Sequence, residues 1–314
     1  MKFCYQVFGL RLESEVALPR LAPGSVEASQ FDVSIRLAPI ASQGLPSPIT
    51  IYPRLQLAPN AAWLSVDGVG RFLVMNGNLI LIDPANHADM QTVCLYVLGS
   101  CLGAIMHQRK RLILHGNAIK VGKEAIIFVG PSGVGKSTAA AGFYKRGYSI
   151  LADDLSVIDN SNNVLPSYPQ IKLWADAIDR LSYDRSRFER IRSQVDKFEM
   201  PIKEQFHKEP VRVNTVYVLH KDARSDFLFE EVTGMRKVIP LRNETYRKIY
   251  IRGMGLSTAH AENCIRLAQG ARVVHVVRPE SGFELEALID RTLEDLTKQL
   301  GAAHRGATVA NSST

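Results

Sequence analysis

The segment Gly130-Pro131-Ser132-Gly133-Val134-Gly135-Lys136-Ser137 fits the pattern G-x-x-x-x-G-K-[ST] at every fixed position. This feature constrains the chain more than any other, because the pattern works only between a strand and a helix. Glycines let the loop turn so that successive backbone N–H groups face inward on phosphate oxygens. The helix that follows presents its positive dipole end to the same anion. The flanks fit: the apolar run Ile126-Ile127-Phe128-Val129 precedes the loop, and Ser137-Thr138-Ala139-Ala140-Ala141 opens an alanine-rich helix. Lys136 is expected to reach the β- and γ-phosphates and the Ser137 hydroxyl to ligate magnesium. The spacing therefore predicts a nucleotide site over Gly130–Thr138, with ATP and Mg2+ as its ligands.

Around this loop the pattern reads as α/β. Residues 1–86 alternate apolar and polar side chains, as in Tyr5–Leu12 and Phe31–Leu37, and predict a small β-rich module. Asn76-Gly77 marks a hairpin there between strands at Arg71–Asn76 and Asn78–Asp83. Nothing in this module carries obvious chemistry, which leaves a structural and a substrate-positioning role both open. A second domain is expected over 87–300. It opens on an apolar helix at about 89–108 and continues with strands at Leu112–Val121 and Ala125–Val129, joined by Gly122–Glu124. That short turn makes the two strands antiparallel, so the sheet should be mixed. A helix over Lys136–Lys145 stopped by Gly147, a strand at Ser149–Ala152 and a strand at Val211–Leu219 follow. Dense charge at helical period predicts a helix from Trp174 to about Ile191, and the last helix is expected at Gly282–Gln299. The small, polar stretch 301–314 reads as a disordered tail.

Asp153-Asp154 ends the strand after the loop helix, where a carboxylate can hold magnesium or accept a proton from an incoming hydroxyl. His115 lies on the strand before the loop strand and is a weaker candidate on sequence alone. The net charge of +7 suits a polyanionic ligand. Basic residues interleaved with acids, as at Asp184-Arg185 and Glu189-Arg190, read as solvated faces and argue against a nucleic-acid partner. Thr92–Met106 is apolar but shorter than the roughly 20 residues a bilayer needs, so a buried helix is expected and no membrane span. Four widely spaced cysteines and no apolar leader predict reduced thiols in a cytoplasmic protein.

Taken together, Leu114-His115-Gly116, the loop through Thr138, Arg146-Gly147-Tyr148 and Leu151-Ala152-Asp153-Asp154 resemble the kinase domain of the HPr kinase/phosphorylase superfamily. Phe8-Gly9-Leu10, Leu18-Pro19 and Tyr168–Trp174 look like the smaller HPr-kinase-related branch of bacterial peptide-biosynthesis clusters. Some members of that branch phosphorylate the C-terminal serine of a lasso-peptide precursor. The resemblance implies that 87–300 is a P-loop kinase domain of HPr kinase type, acting on a serine hydroxyl of a peptide or protein. It implies Ser137 and Asp154 at the metal, Asp153 as general base and His115 positioning the acceptor, with the two aspartates open to exchange. It also implies a homo-oligomer, whose order the different N-terminal module leaves open.

The sequence departs from the family at one motif. Ile251-Arg252-Gly253-Met254-Gly255 is similar to the family's E-I-R-G-L-G, but it lies far beyond Asp154, and Tyr250 replaces the glutamate. The segment reads as a turn of its own, and the family's metal-site glutamate has no evident counterpart. Lys197 and Lys203 mark a candidate substrate-facing loop. Two alternatives stand beside the peptide kinase: a kinase for a small hydroxylated metabolite, and an ATPase or nucleotide-gated regulator in which water is the acceptor.

Overall fold

The computed structural model describes residues 2–24, 30–192, 195–202, 204–280 and 284–310. It is a mixed α/β structure with three sheets. The first sheet holds β1 (Phe3–Val7), β2 (Leu10–Ser14), β3 (Ala22–Pro23), β4 (Val33–Leu37), β5 (Thr50–Tyr52), β6 (Leu55–Ala58), β7 (Ala61–Val66), β8 (Gly70–Met75) and β9 (Leu79–Pro84). Its order is β3-β1-β2-β4-β9-β8-β7-β6-β5, with β4 parallel to both neighbours and every other pair antiparallel. The stretch Tyr5–Leu12, which alternation suggested was one strand, is a hairpin: Phe8 and Gly9 both adopt positive φ and turn β1 into β2. Asn76 and Gly77 do the same between β8 and β9, as that dipeptide predicts.

One apolar face of this sheet packs on the helix over 90–108. Asp89 caps it, accepting from the N–H groups of Gln91 and Thr92 at 3.1 Å each. The helix comprises α1 (Met90–Tyr96), a π-helical turn at Val97–Cys101, and α2 (Leu102–Gln108). By length and hydropathy this helix could cross a membrane, but 67% of the apolar stretch is buried within the protein. Val93, Leu98, Leu102 and Ile105 share a core there with Leu12, Phe72 and Ile80 of the sheet. Each such side chain contributes about 1.5–3 kcal/mol by leaving water.

The second sheet comprises β10 (Leu112–Val121), β11 (Glu124–Val129), β12 (Ser149–Ala152), β13 (Leu155–Ile158), β14 (Asn163–Leu165), β18 (Val211–Asp222), β19 (Leu228–Val232) and β20 (Arg272–Pro279). As the short turn predicts, β10 and β11 are antiparallel, while β11, β18 and β20 run parallel. The β11–β18 pairing closes a ring of strands β11-β10-β13-β14-β18. Helix α3 (Lys136–Lys145) follows the glycine loop, and Gly147 at φ 89° stops it.

A third sheet, β15 (Gln170–Trp174), β17 (Val195–Pro201) and β16 (Glu189–Arg192) in the order β15-β17-β16, packs on α3. It corrects the long helix expected from Trp174 to Ile191. Only α4 (Ala175–Arg180) is helical in the α sense, a single 3-10 turn follows at Arg185–Arg187, and the chain re-enters a strand at Glu189. Ser182 takes φ 58° just after α4, where a helix cannot continue. Tyr183 and Phe188 then pack on the core beside α3.

The remaining helices are α5 (Val238–Asn243), α6 (Ile249–Gly253), α7 (Ser257–Gly270) and α8 (Leu285–Ala310). Helix α8 continues past residue 301, where a disordered tail was expected. The alanines of Ala302-Ala303 and beyond favour helix, and residues 311–314 lie outside the described residues.

The Ile251–Gly255 segment forms the end of α6 and its turn, as its own sequence suggested. Gly253 sits against β6, where an added Cβ would lie 2.7 Å from Leu57 Cβ. Gly253→Val is therefore expected to destabilise the protein by about 1–3 kcal/mol through overpacking. The effect would be read as a lower denaturant midpoint. An unchanged midpoint would mean that this contact between sheet and helix contributes little.

Candidate functional site

The glycine loop leaves the end of β11 and enters α3, the setting that the sequence pattern requires. Gly130, Gly133 and Gly135 all have positive φ. Gly130 has no alternative residue, since at φ 138° a Cβ would also lie 2.5 Å from the carbonyl oxygen of Leu219. Lys136 is buried and donates to the carbonyls of Gly130 at 2.7 Å and Pro131 at 3.0 Å, folding back over its own loop. Burial lowers its pKa, opposed by the charges of Asp154, Glu244 and Asp153.

The two aspartates have different surroundings. Asp153 is buried, and its carboxylate accepts from Ser137 Oγ at 3.2 Å, from the Lys172 backbone N–H at 2.7 Å and from Asn117 Nδ2. Burial, then the neighbouring Asp154 charge, pushes its pKa up to about 6. Asp154 adopts φ 66°, a left-handed conformation, and its side chain opens into the cavity. Lys172 Nζ lies 3.0 Å from Asp154 Oδ2 and Lys197 Nζ 3.9 Å from Oδ1. Burial works against the Asp154 charge, but Lys172, Lys197 and His115 outweigh it and hold this carboxyl well below the usual range.

His115 stands beside Asp154, with Nδ1 3.2 Å from the Asp154 carbonyl oxygen. A proton on Nδ1 makes that bond and leaves Nε2 as an acceptor. Burial lowers the His115 pKa, with the Asp154 charge opposing. The histidine's backbone N–H donates to Glu244 O at 2.7 Å, tying this strand to the segment after α5.

These groups border one cavity of about 510 Å³. Its wall includes His115, Lys136, Ser137, Thr138 and Asp154, together with Lys172, Trp174, Lys197, Tyr246 and Arg278. Of the predicted site residues, His115, Ser132, Gly133, Gly135, Lys136, Ser137, Thr138, Asp154 and Lys197 line this cavity. Gly130, Pro131, Val134 and Asp153 do not line it, although Asp153 bonds to Ser137 of the wall, and Lys203 is outside the described residues.

Sequence reasoning missed Asn117, Lys172, Trp174, Tyr246 and Arg278. For three of them a signal was present. Gln170-Ile171-Lys172-Leu173-Trp174 alternates as a strand should, with Ile171 and Leu173 in the core and Lys172 and Trp174 on the cavity side. Asn117 lies two residues beyond His115 on β10, hence on the same face of the strand.

No family model and no curated protein matches the chain. Among solved structures, the Hpr(Ser) kinase/phosphatase from Coxiella burnetii is similar at a TM-score of 0.32 and 13% identity. That match covers 60% of this chain and 98% of the other. A likeness so low leaves the site's own geometry to carry the functional reading.

Proposed function

We propose that this chain is an ATP- and magnesium-dependent phosphotransferase that moves the γ-phosphoryl group to a hydroxyl, with a serine of a peptide or protein as acceptor. The observation that carries the reading is the pairing of Ser137 with Asp153 directly under the glycine loop, while Asp154 and His115 open into the same cavity. The motif resemblance narrows the acceptor to the C-terminal serine of a lasso-peptide precursor.

The residues present fit magnesium. The Ser137 hydroxyl and Asp153 carboxylate lie side by side as two hard oxygen donors, and such an ion keeps its other positions for phosphate and water. Among the described residues no group of three or more His, Cys, Asp or Glu side chains gathers around a metal position, which suits an ion that arrives with the nucleotide. When bound, it neutralises charge on the β- and γ-phosphates.

The aspartate roles are the exchange left open by the sequence. Asp153, though the more basic, is enclosed by three donors, and geometry precedes pKa in choosing a base. Asp154 faces the acceptor and takes its proton; a loose transition state asks little basicity of it. Lys172 and Lys197 keep it ionised. His115 Nε2 positions the hydroxyl, and Lys136 exchanges its loop carbonyls for phosphate oxygens.

The reading is tested by intact-mass spectrometry of a synthetic peptide ending in serine after incubation with ATP and magnesium. Gain of one phosphate, dependent on Lys136, supports it. ATP consumption with water as the only acceptor replaces it with a hydrolase.

Asp153 also sets a pH dependence. Below about 6 its carboxyl is protonated and lost to the metal, and above that value it is ionised. Turnover is therefore expected to rise with pH through about 6, and that limb should move to lower pH as magnesium concentration is raised, because metal and proton compete. A limb that ignores magnesium would remove Asp153 from the metal site.

A further inference from the structure

Tyr246 has no role in the reading above, yet the fold around it is arranged to hold its hydroxyl at the cavity. Its ring lies in a slot left by the glycines of the π-helical turn and α2. A Cβ on Gly103 would lie 2.8 Å from Tyr246 Cε1, and one on Gly99 would lie 3.5 Å from the hydroxyl oxygen. Gly99 and Tyr246 both border the cavity, so the hydroxyl sits at its wall. The ring centroid is 5.9 Å from that of His115.

Among the described residues the Tyr246 O–H donates to no protein acceptor. Arg247 Nε donates to Tyr246 Oη at 3.0 Å, so the phenol oxygen is an acceptor in that bond and its O–H points elsewhere. Arg247 is itself fixed: its guanidinium lies 5.4 Å from the Tyr246 ring centroid and 6.0 Å from that of Tyr250, and Nη2 donates to Ser100 Oγ at 2.8 Å. Arg247 adopts φ 46°, a conformation that costs a non-glycine residue energy and persists where the surroundings hold it. Backbone contacts set the height of the segment: Tyr246 N–H donates to Ile113 O at 2.9 Å and Tyr246 O lies 2.9 Å from His107 Nε2. A packed ring, a polarising arginine and an O–H with no acceptor among the described residues thus meet beside His115, on the cavity wall that Asp154 also lines.

We infer that Tyr246 is a nucleophile-positioning residue, whose O–H hydrogen-bonds the attacking oxygen and holds it between Asp154 and His115. The inference rests on the phosphotransfer reading. In the absence of an acceptor the same bond holds a water, so basal ATP hydrolysis reports on it without any knowledge of the acceptor.

The test compares wild type, Tyr246→Phe and Lys136→Ala with ATP and magnesium, measuring nucleotide affinity by calorimetry and hydrolysis under single-turnover conditions. Phenylalanine keeps the ring in its slot and removes only the hydroxyl. The expected result is an unchanged Kd for ATP with hydrolysis slowed about tenfold, the scale of one lost hydrogen bond at the reacting oxygen. A purely structural role would move melting temperature or Kd and leave the single-turnover rate alone. Tyr246→Phe at the wild-type rate overturns the inference and leaves the phosphotransfer reading standing. A Lys136→Ala protein as active as wild type overturns both.

Discussion

Asp154→Asn is expected to lower the phosphoryl-transfer rate by about 10²–10⁴-fold, the usual contribution of a positioned proton acceptor. Asparagine has nearly the same shape, so the left-handed turn at this position, which asparagine tolerates, is retained. What changes is charge. Lys172 Nζ at 3.0 Å and Lys197 Nζ at 3.9 Å lose their counter-ion, and the cavity becomes more positive. The triphosphate should then bind at least as tightly as before while turnover collapses, a separation of kcat from Kd that marks loss of a group acting in the transition state. Single-turnover transfer and calorimetry on the same preparation measure both. Turnover within threefold of wild type would exclude Asp154 as the proton acceptor and return that role to Asp153.

Lys136→Ala should cost kcat/KM about 10²–10³-fold, comparable to removing one preorganised donor from developing negative charge. The residue is buried, and its ammonium is held by two loop carbonyls, so it contributes to the loop's shape as well as to the proposed phosphate binding. Here, unlike at Asp154, affinity should fall together with rate. Combining the two substitutions should cost less than the product of their separate effects, because groups serving one transition state act as a unit. A Lys136→Ala protein that binds ATP normally would place the triphosphate elsewhere.

What the sequence made legible follows from how local each signal is. The strand–loop–helix around Gly130 is contiguous in the chain, and its glycines, lysine and serine appear where the pattern puts them. The hairpin at Asn76-Gly77 and the antiparallel β10–β11 pair are equally local. The third sheet was not legible, because the charged residues that looked like a solvated helix are split between α4, the turn at Ser182 and the strand at Glu189. Their pairing with β17 is a long-range property that periodicity does not carry. For the same reason the site's donors from distant segments were missed. Nothing in the vicinity of Asp153 says that the N–H of Lys172 will satisfy its carboxylate, and nothing near His115 announces Tyr246. The paired aspartates were found together but could not be told apart. The distinction depends on which side chain lies under the loop and which opens outward.

The ring of strands closed by β11 and β18 has a consequence for the order of folding. The glycine loop and α3 form from neighbouring residues and can organise early, since local contacts ask little loop-closure entropy. Asp153, Asp154 and Lys172 belong to the segment between β11 and β18, and Tyr246 lies beyond it. The first three contact one another and Ser137 across fewer than twenty residues, whereas Tyr246 reaches the cavity only across a long stretch of chain, the slow kind of event. A chain part-way through folding therefore assembles the glycine loop and the paired aspartates before Tyr246 reaches the cavity wall. On the proposed reading, nucleotide present during synthesis would act as a template on which the rest of the site assembles.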